Sequence, residues 1–245
     1  MPLNPLAPVV DYQSMLNRIF WFTTVCALAC VYLVRLHVPA LDAWLGRVDL
    51  SVAWGDGNLP TRAGYLLPAL AVGIASRIYR LHARLSDWLG LRECFDVDVI
   101  IAEFANELDV DAKAVPPEQW RGARHAIMRK AFYPYVSGAK PEIDSQLIQQ
   151  ALDAWSWFWI GLEATTLVTV TGFSLIACSE MSVGLQTLAG ALAFALLGLP
   201  SLRNQCKRYA IAQVRAILAD PTRASVAREA LAAVASPAPN LRIAG

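Results

Sequence analysis

One carboxylate stands where a charge is costly. Glu163 falls inside an apolar run that opens at Trp155-Ser156-Trp157-Phe158-Trp159-Ile160 and continues to about Cys178. At that depth in a bilayer a carboxylate costs about 3 kcal/mol on insertion scales unless it is paired or wetted. Thr166 and Thr169 continue its side of the helix, and Thr165 and Thr171 add polarity nearby. Two chemistries follow from this pattern. The carboxylate and its threonines could line or gate a polar path, or serve as a proton-accepting site. Alternatively, Glu163 is an ion-pair partner of Arg77 or Arg80, which should lie at similar depth.

Other residue types offer less. His82 and His125 sit among basic residues, with no cysteine or carboxylate at ligand spacing, so no metal site is expected. The five cysteines, Cys26, Cys30, Cys94, Cys178 and Cys206, form no C-x-x-C pair and read as free thiols. No GxSxG, HExxH, phosphate-loop or dinucleotide fingerprint occurs. Trp120 with Arg121 and Arg124 could meet a nucleotide, but an aromatic among arginines is normally a half-buried helix residue. The expectation is a protein with no catalytic residue and no cofactor.

The elements that must position Glu163 are apolar helices. The chain of 245 residues is 56% hydrophobic and only 17% charged, below the ~25% of an ordinary soluble domain. Its mean hydropathy is +0.40. The apolar residues cluster into segments near the ~20 needed to cross a hydrocarbon core. The expected fold is all-α: a four-span helical membrane protein with a small cytoplasmic helical domain.

In order, residues 1–90 form an N-terminal hairpin with spans at about 19–38 and 63–80, joined by a loop at 40–62. Pro39 is expected to end the first segment, and Arg77 to Arg84 to lie on one helix continuing the second. Residues 91–154 are a soluble helical domain, broken at Pro116-Pro117. Residues 155–202 are a second hairpin, its last span ending at Pro200. Residues 203–245 are an amphipathic helix and tail. No cleavable leader is expected, because no basic stretch adjoins Met1.

Basic residues cluster after span two, before span three and after span four, while the two short connections are poor in them. The positive-inside tendency then puts both termini and the soluble domain in the cytoplasm of a bacterial inner membrane. Arg35, at the outer end of span one, dissents, and could snorkel to the interface. The basic collars suit anionic lipid, so the bilayer itself is one partner. Gly184, Thr187, Ala191, Ala195 and Gly198 form a stripe of small residues on span four. Such a stripe lets helices approach closely, within one subunit or in a homo-oligomer.

The segment Arg80-Leu-His82-Ala-Arg84-Leu-Ser-Asp87-Trp-Leu-Gly90-Leu-Arg92-Glu-Cys-Phe95-Asp96 resembles the juxtamembrane part of small membrane effectors of bacterial anti-phage systems, of the retron-associated and cyclic-nucleotide-signalling kinds. The resemblance covers under twenty residues. It implies an effector that stays quiet until a regulatory protein, nucleic acid or nucleotide signal releases it, then damages the inner membrane. It also implies a structural or regulatory hinge role for His82, Arg84, Asp87, Arg92 and Asp96.

Together these features point to a non-enzymatic effector that permeabilises the membrane. A channel or transport component with a physiological substrate is the alternative, and a membrane-bound enzyme comes after it.

Overall fold

The computed structural model describes residues 8–47, 52–54, 57–59, 63–111, 114–137 and 142–235. Among these the chain is helical, apart from one short antiparallel pair, β1 (Val52–Trp54) and β2 (Gly57–Leu59).

Helix α1 spans Tyr12–His37. It begins seven residues before the expected span because Asp11 and Ser14 close a capping box. The Ser14 N–H donates to Asp11 Oδ1 at 2.6 Å, and the Asp11 N–H donates to Ser14 Oγ at 3.0 Å. As expected, the first segment ends at Pro39, with α1 stopping at His37 and Val38 as its C-cap; Pro39 also opens α2 (Pro39–Gly46), where its missing N–H is not needed. The first part of the expected loop is therefore helical. Helices α3 (Ala63–Tyr79) and α4 (Leu81–Trp88) follow. They were expected to be one helix. Arg80 interrupts them with a left-handed φ of +49°.

Helix α5, residues 91–107, contains a π-helical stretch at Asp96–Ile101. Gly90, at φ +63°, separates it from α4. Helix α6, residues 117–136, has another such stretch at Met128–Phe132. Helix α7 (Ser145–Ala177) is unbroken over 33 residues. A tight turn with Ser179 at φ +71° leads to α8 (Met181–Leu218). The last apolar span was expected to end at Pro200, yet α8 continues through it. The π-helical stretch Phe194–Gly198 lies just before the proline. Widening the backbone there accommodates a residue that donates no hydrogen bond and crowds the preceding turn. Helix α9 (Pro221–Ala235) starts at Asp220, whose carboxylate accepts from the N–H groups of Thr222 and Arg223.

Among the described residues, three helices are long and apolar enough to cross a membrane: α1, α7 and α8. The fourth apolar segment, α3, has 17 residues and carries Pro68. At 1.5 Å per residue it is about 25 Å long, shorter than a ~30 Å hydrocarbon core.

The chain divides into two units. The first comprises Met1–Leu85 and Leu152–Asn204. Here α1 packs along α3 so closely that a Cβ on Gly73 would lie 2.0 Å from Thr24 Oγ1. Helices α7 and α8 cross at Gly172 and Gly184, where a Cβ on Gly184 would lie 2.8 Å from the Gly172 carbonyl oxygen. The second unit comprises Ser86–Ala151 and Gln205–Gly245. Its core joins Ile101, Phe104, Ile127, Met128 and Phe132 to Val214, Ile217 and Leu231, all buried. The C-terminal segment thus shares a core with α5 and α6.

Candidate functional site

Glu163 is fully buried in the first unit, and its carboxylate is the meeting point of four helices. Oε2 accepts from Thr23 Oγ1 of α1 at 2.5 Å and from Ser76 Oγ of α3 at 2.8 Å. Oε1 accepts from the His82 backbone N–H of α4 at 2.9 Å and lies 3.3 Å from His82 Nδ1. The expected partners, Arg77 and Arg80, are elsewhere. Arg77 donates to Asn17 Oδ1 at 2.7 Å, and Arg80 is exposed in the break between α3 and α4.

That break explains the geometry. In one continuous helix the His82 N–H would bond to the carbonyl four residues earlier. The left-handed Arg80 ends α3 and makes His82 an early residue of α4, where N–H groups have no partner in the helix. One of them is given to Glu163. Left-handed backbone in a non-glycine residue costs about 1–2 kcal/mol. A charge-assisted hydrogen bond to a buried carboxylate offsets a cost of that size.

His82 is 5% exposed, and its ring lies 6.0 Å from that of Trp159, one turn before Glu163 on α7. Nε2 is buried and has no hydrogen-bond partner. Three hydrogen-bond donors and an imidazole surround the carboxylate, so neither oxygen of this buried group is left without a partner.

A second polar contact lies on the same helices. Arg18 of α1 bonds to Asp153, and to Ser156 Oγ at 3.1 Å, with its guanidinium 5.5 Å from the Trp157 ring. Arg35 has partners within the chain. It is buried against Asp42 Oδ1 at 2.6 Å and stacks on the Tyr65 ring at 3.8 Å.

The threonines are not part of the cluster. Thr166 Oγ1 donates to the Leu162 carbonyl and Thr169 Oγ1 to that of Thr165, so both hydroxyls are turned into their own helix. The small-residue stripe is used within the chain at Gly184, which abuts Gly172, and at Ala191, which is buried. Thr187 bonds to its own helix; Ala195 and Gly198 are half-buried. The opposite face of α8 exposes Leu185, Leu192, Leu196 and Leu197.

The juxtamembrane residues separate by unit. His82 joins Glu163. Arg84 is exposed, with its guanidinium 5.3 Å from the Tyr79 ring. In the second unit Asp87 and Arg92 line a groove together with Arg124, and Asp96 is buried beside Arg124. Burial pushes the Asp96 carboxyl up to about 6, against the pull of Arg124 and, to a lesser degree, Arg92. Among the described residues no group of three or more His, Cys, Asp or Glu side chains is placed to hold a metal.

Sequence reasoning missed Thr23, Ser76 and the His82 N–H. Ser76 and Thr23 were visible as hydroxyls within apolar helices, but nothing in the pattern joined them to Glu163 across 87 and 140 residues.

These features define a helical protein with membrane-length apolar helices, a buried carboxylate cluster between them, and a second, more polar helical unit. Residues 11–232 match the YmfE protein family, and the chain belongs to that family. No curated protein and no solved structure matches it.

Proposed function

We propose that this protein is an integral membrane effector that rests closed and permeabilises the bacterial inner membrane when its polar unit receives a signal. Four spans cross the membrane, with both termini in the cytoplasm, and copies associate in the active state. The observation that carries the proposal is Glu163. A fully buried carboxylate tied to four helices is a latch: it holds the helices together and keeps a charge out of lipid. Sliding any of these helices would uncover the charge and hydrate the space around it. Glu163 therefore gates, while the threonines turn inward to their own backbone. The exposed leucines of α8 suit lipid. The setting, growth arrest or cell death in anti-phage defence, rests on the resemblance of residues 80–96.

The test is inner-membrane potential, followed with a voltage-sensitive dye in bacteria expressing the chain. Glu163→Gln keeps the shape but removes the charge that three donors hold. It should depolarise cells at lower expression than the wild type. An unchanged potential with normal membrane insertion would remove Glu163 from the mechanism.

A channel or transport component is the second reading, and the His82–Glu163 contact favours it. Buried acid–imidazole pairs in membrane helices carry protons in pumps and transporters. It predicts substrate-dependent flux and tolerated expression instead of toxicity.

A further inference from the structure

We propose that the groove in the second unit lined by Asp87, Gly90, Arg92, Glu93, Arg124 and His125 binds a small, hydroxyl-bearing phosphomonoester, such as a nucleotide or sugar phosphate. The groove has a volume of about 390 Å3, within the range of small-molecule sites. Arg92 of α5 and Arg124 of α6 line it from two separate elements, with His125 beside Arg124 and accepting from it through Nε2. That donor set matches a phosphate, which arginine binds bidentately through paired N–H groups.

Arg124 has donors to spare. One terminal nitrogen lies 2.8 Å from His125 Nε2, and the other approaches Asp96 Oδ2 only to 4.0 Å, beyond a hydrogen bond. A guanidinium carries five N–H donors. Behind it Asp96 is 6% exposed, and its Oδ2 has no hydrogen-bond partner. A buried carboxylate left at that distance is a costly way to balance a surface charge. It is a sensible way to hold an arginine at the rim of a groove, which makes Asp96 a positioning residue.

Gly90 contributes by its left-handed backbone, and no atom lies within 4 Å of where its Cβ would be. The main chain is thus open to the groove. Asp87 and Glu93 define the rest of the ligand. They would repel bare phosphate, but they accept hydrogen bonds from hydroxyls. A ligand that carries both a phosphate and hydroxyls offers partners to the cations and to the carboxylates of the lining.

This inference rests on the function proposed above, because it names the chemistry of the signal. Its test is therefore direct binding, with no flux involved. The full chain in detergent is titrated calorimetrically with adenosine monophosphate, ribose monophosphate and, separately, phosphatidic acid vesicles. Saturable binding of a soluble probe is expected, with adenosine and ribose at least about tenfold weaker, as loss of charge-assisted bonds requires.

The double variant Arg124→Gln/Asp96→Asn removes the cation together with its buried partner, so that it folds. It should weaken binding by at least about tenfold. Arg228→Gln, on an exposed face of α9, should leave binding unchanged. Binding of the vesicles alone, with the same dependence on Arg124, would assign the phosphate to a lipid headgroup. Binding by none of the probes at millimolar concentration, or binding indifferent to the double variant, overturns the inference. A bound probe with no leak in cells would refute the effector instead.

Discussion

Asp96→Asn should stabilise the second unit, and by an amount that depends on pH. Asp96 is 6% exposed, Oδ2 accepts no hydrogen bond, and Arg124 stands 4.0 Å away. Burial raises its carboxyl from 3.8 to about 6. A group whose folded pKa lies above its unfolded value helps the fold most when protonated. Its contribution is fully present below 3.8 and is lost as pH rises through about 6. A shift of about two units at 1.4 kcal/mol each amounts to about 3 kcal/mol. Well above the folded pKa the wild type carries this cost in full, and the neutral asparagine does not. Thermal unfolding of the full chain in detergent, read by the fluorescence of buried Trp120, measures the difference. At about 4 °C per kcal/mol, the variant should melt about 10 °C higher at alkaline pH and converge with the wild type near the unfolded pKa. A gap that stays constant with pH, or a wild type more stable at alkaline pH, would refute the reasoning.

The other expectations concern backbone. Gly184→Ala would put a Cβ 2.8 Å from the Gly172 carbonyl oxygen and 3.0 Å from the Ile176 nitrogen. It should push α7 and α8 apart at a cost of about 1–3 kcal/mol, seen as unfolding at lower denaturant. Arg80→Gly should be tolerated, because glycine adopts a positive φ freely. Arg80→Val should destabilise, measured in the same way, because a β-branched side chain tolerates a positive φ less well than arginine does.

The apolar periodicity made α1, α7 and α8 legible, since a bilayer-length run is a local property of sequence. Their ends were less so. Asp11 and Ser14 reverse the usual order of a capping box, and the start of α1 went unseen. Pro39 and Pro200 both read as stops; α1 does end before Pro39, but α8 runs on through Pro200. Which way a proline acts depends on whether the turn before it can close without its N–H, or widen, and neither shows in residue type. Arg80 is the clearest case. Arginine is a good helix former and carries no signal for left-handed backbone, so the break that aims His82 was invisible. Glu163 itself was conspicuous because its charge is wrong for its neighbours. Its partners were not, since serine, threonine and a backbone N–H are unremarkable wherever they stand.

The carboxylate cluster also has an order of assembly. Thr23, Ser76 and the His82 N–H all precede Glu163 in the chain, the last by 81 residues. At ~5–20 residues per second of synthesis, the last of them awaits its acceptor for ~4–16 s. During that interval α1, α3 and α4 hold three donors with no acceptor, and the left-handed turn at Arg80 has nothing to compensate it. The arrival of α7 satisfies all of them in one step. A chain truncated before Glu163 should therefore be a nascent substrate for quality-control proteolysis, and the complete chain should not.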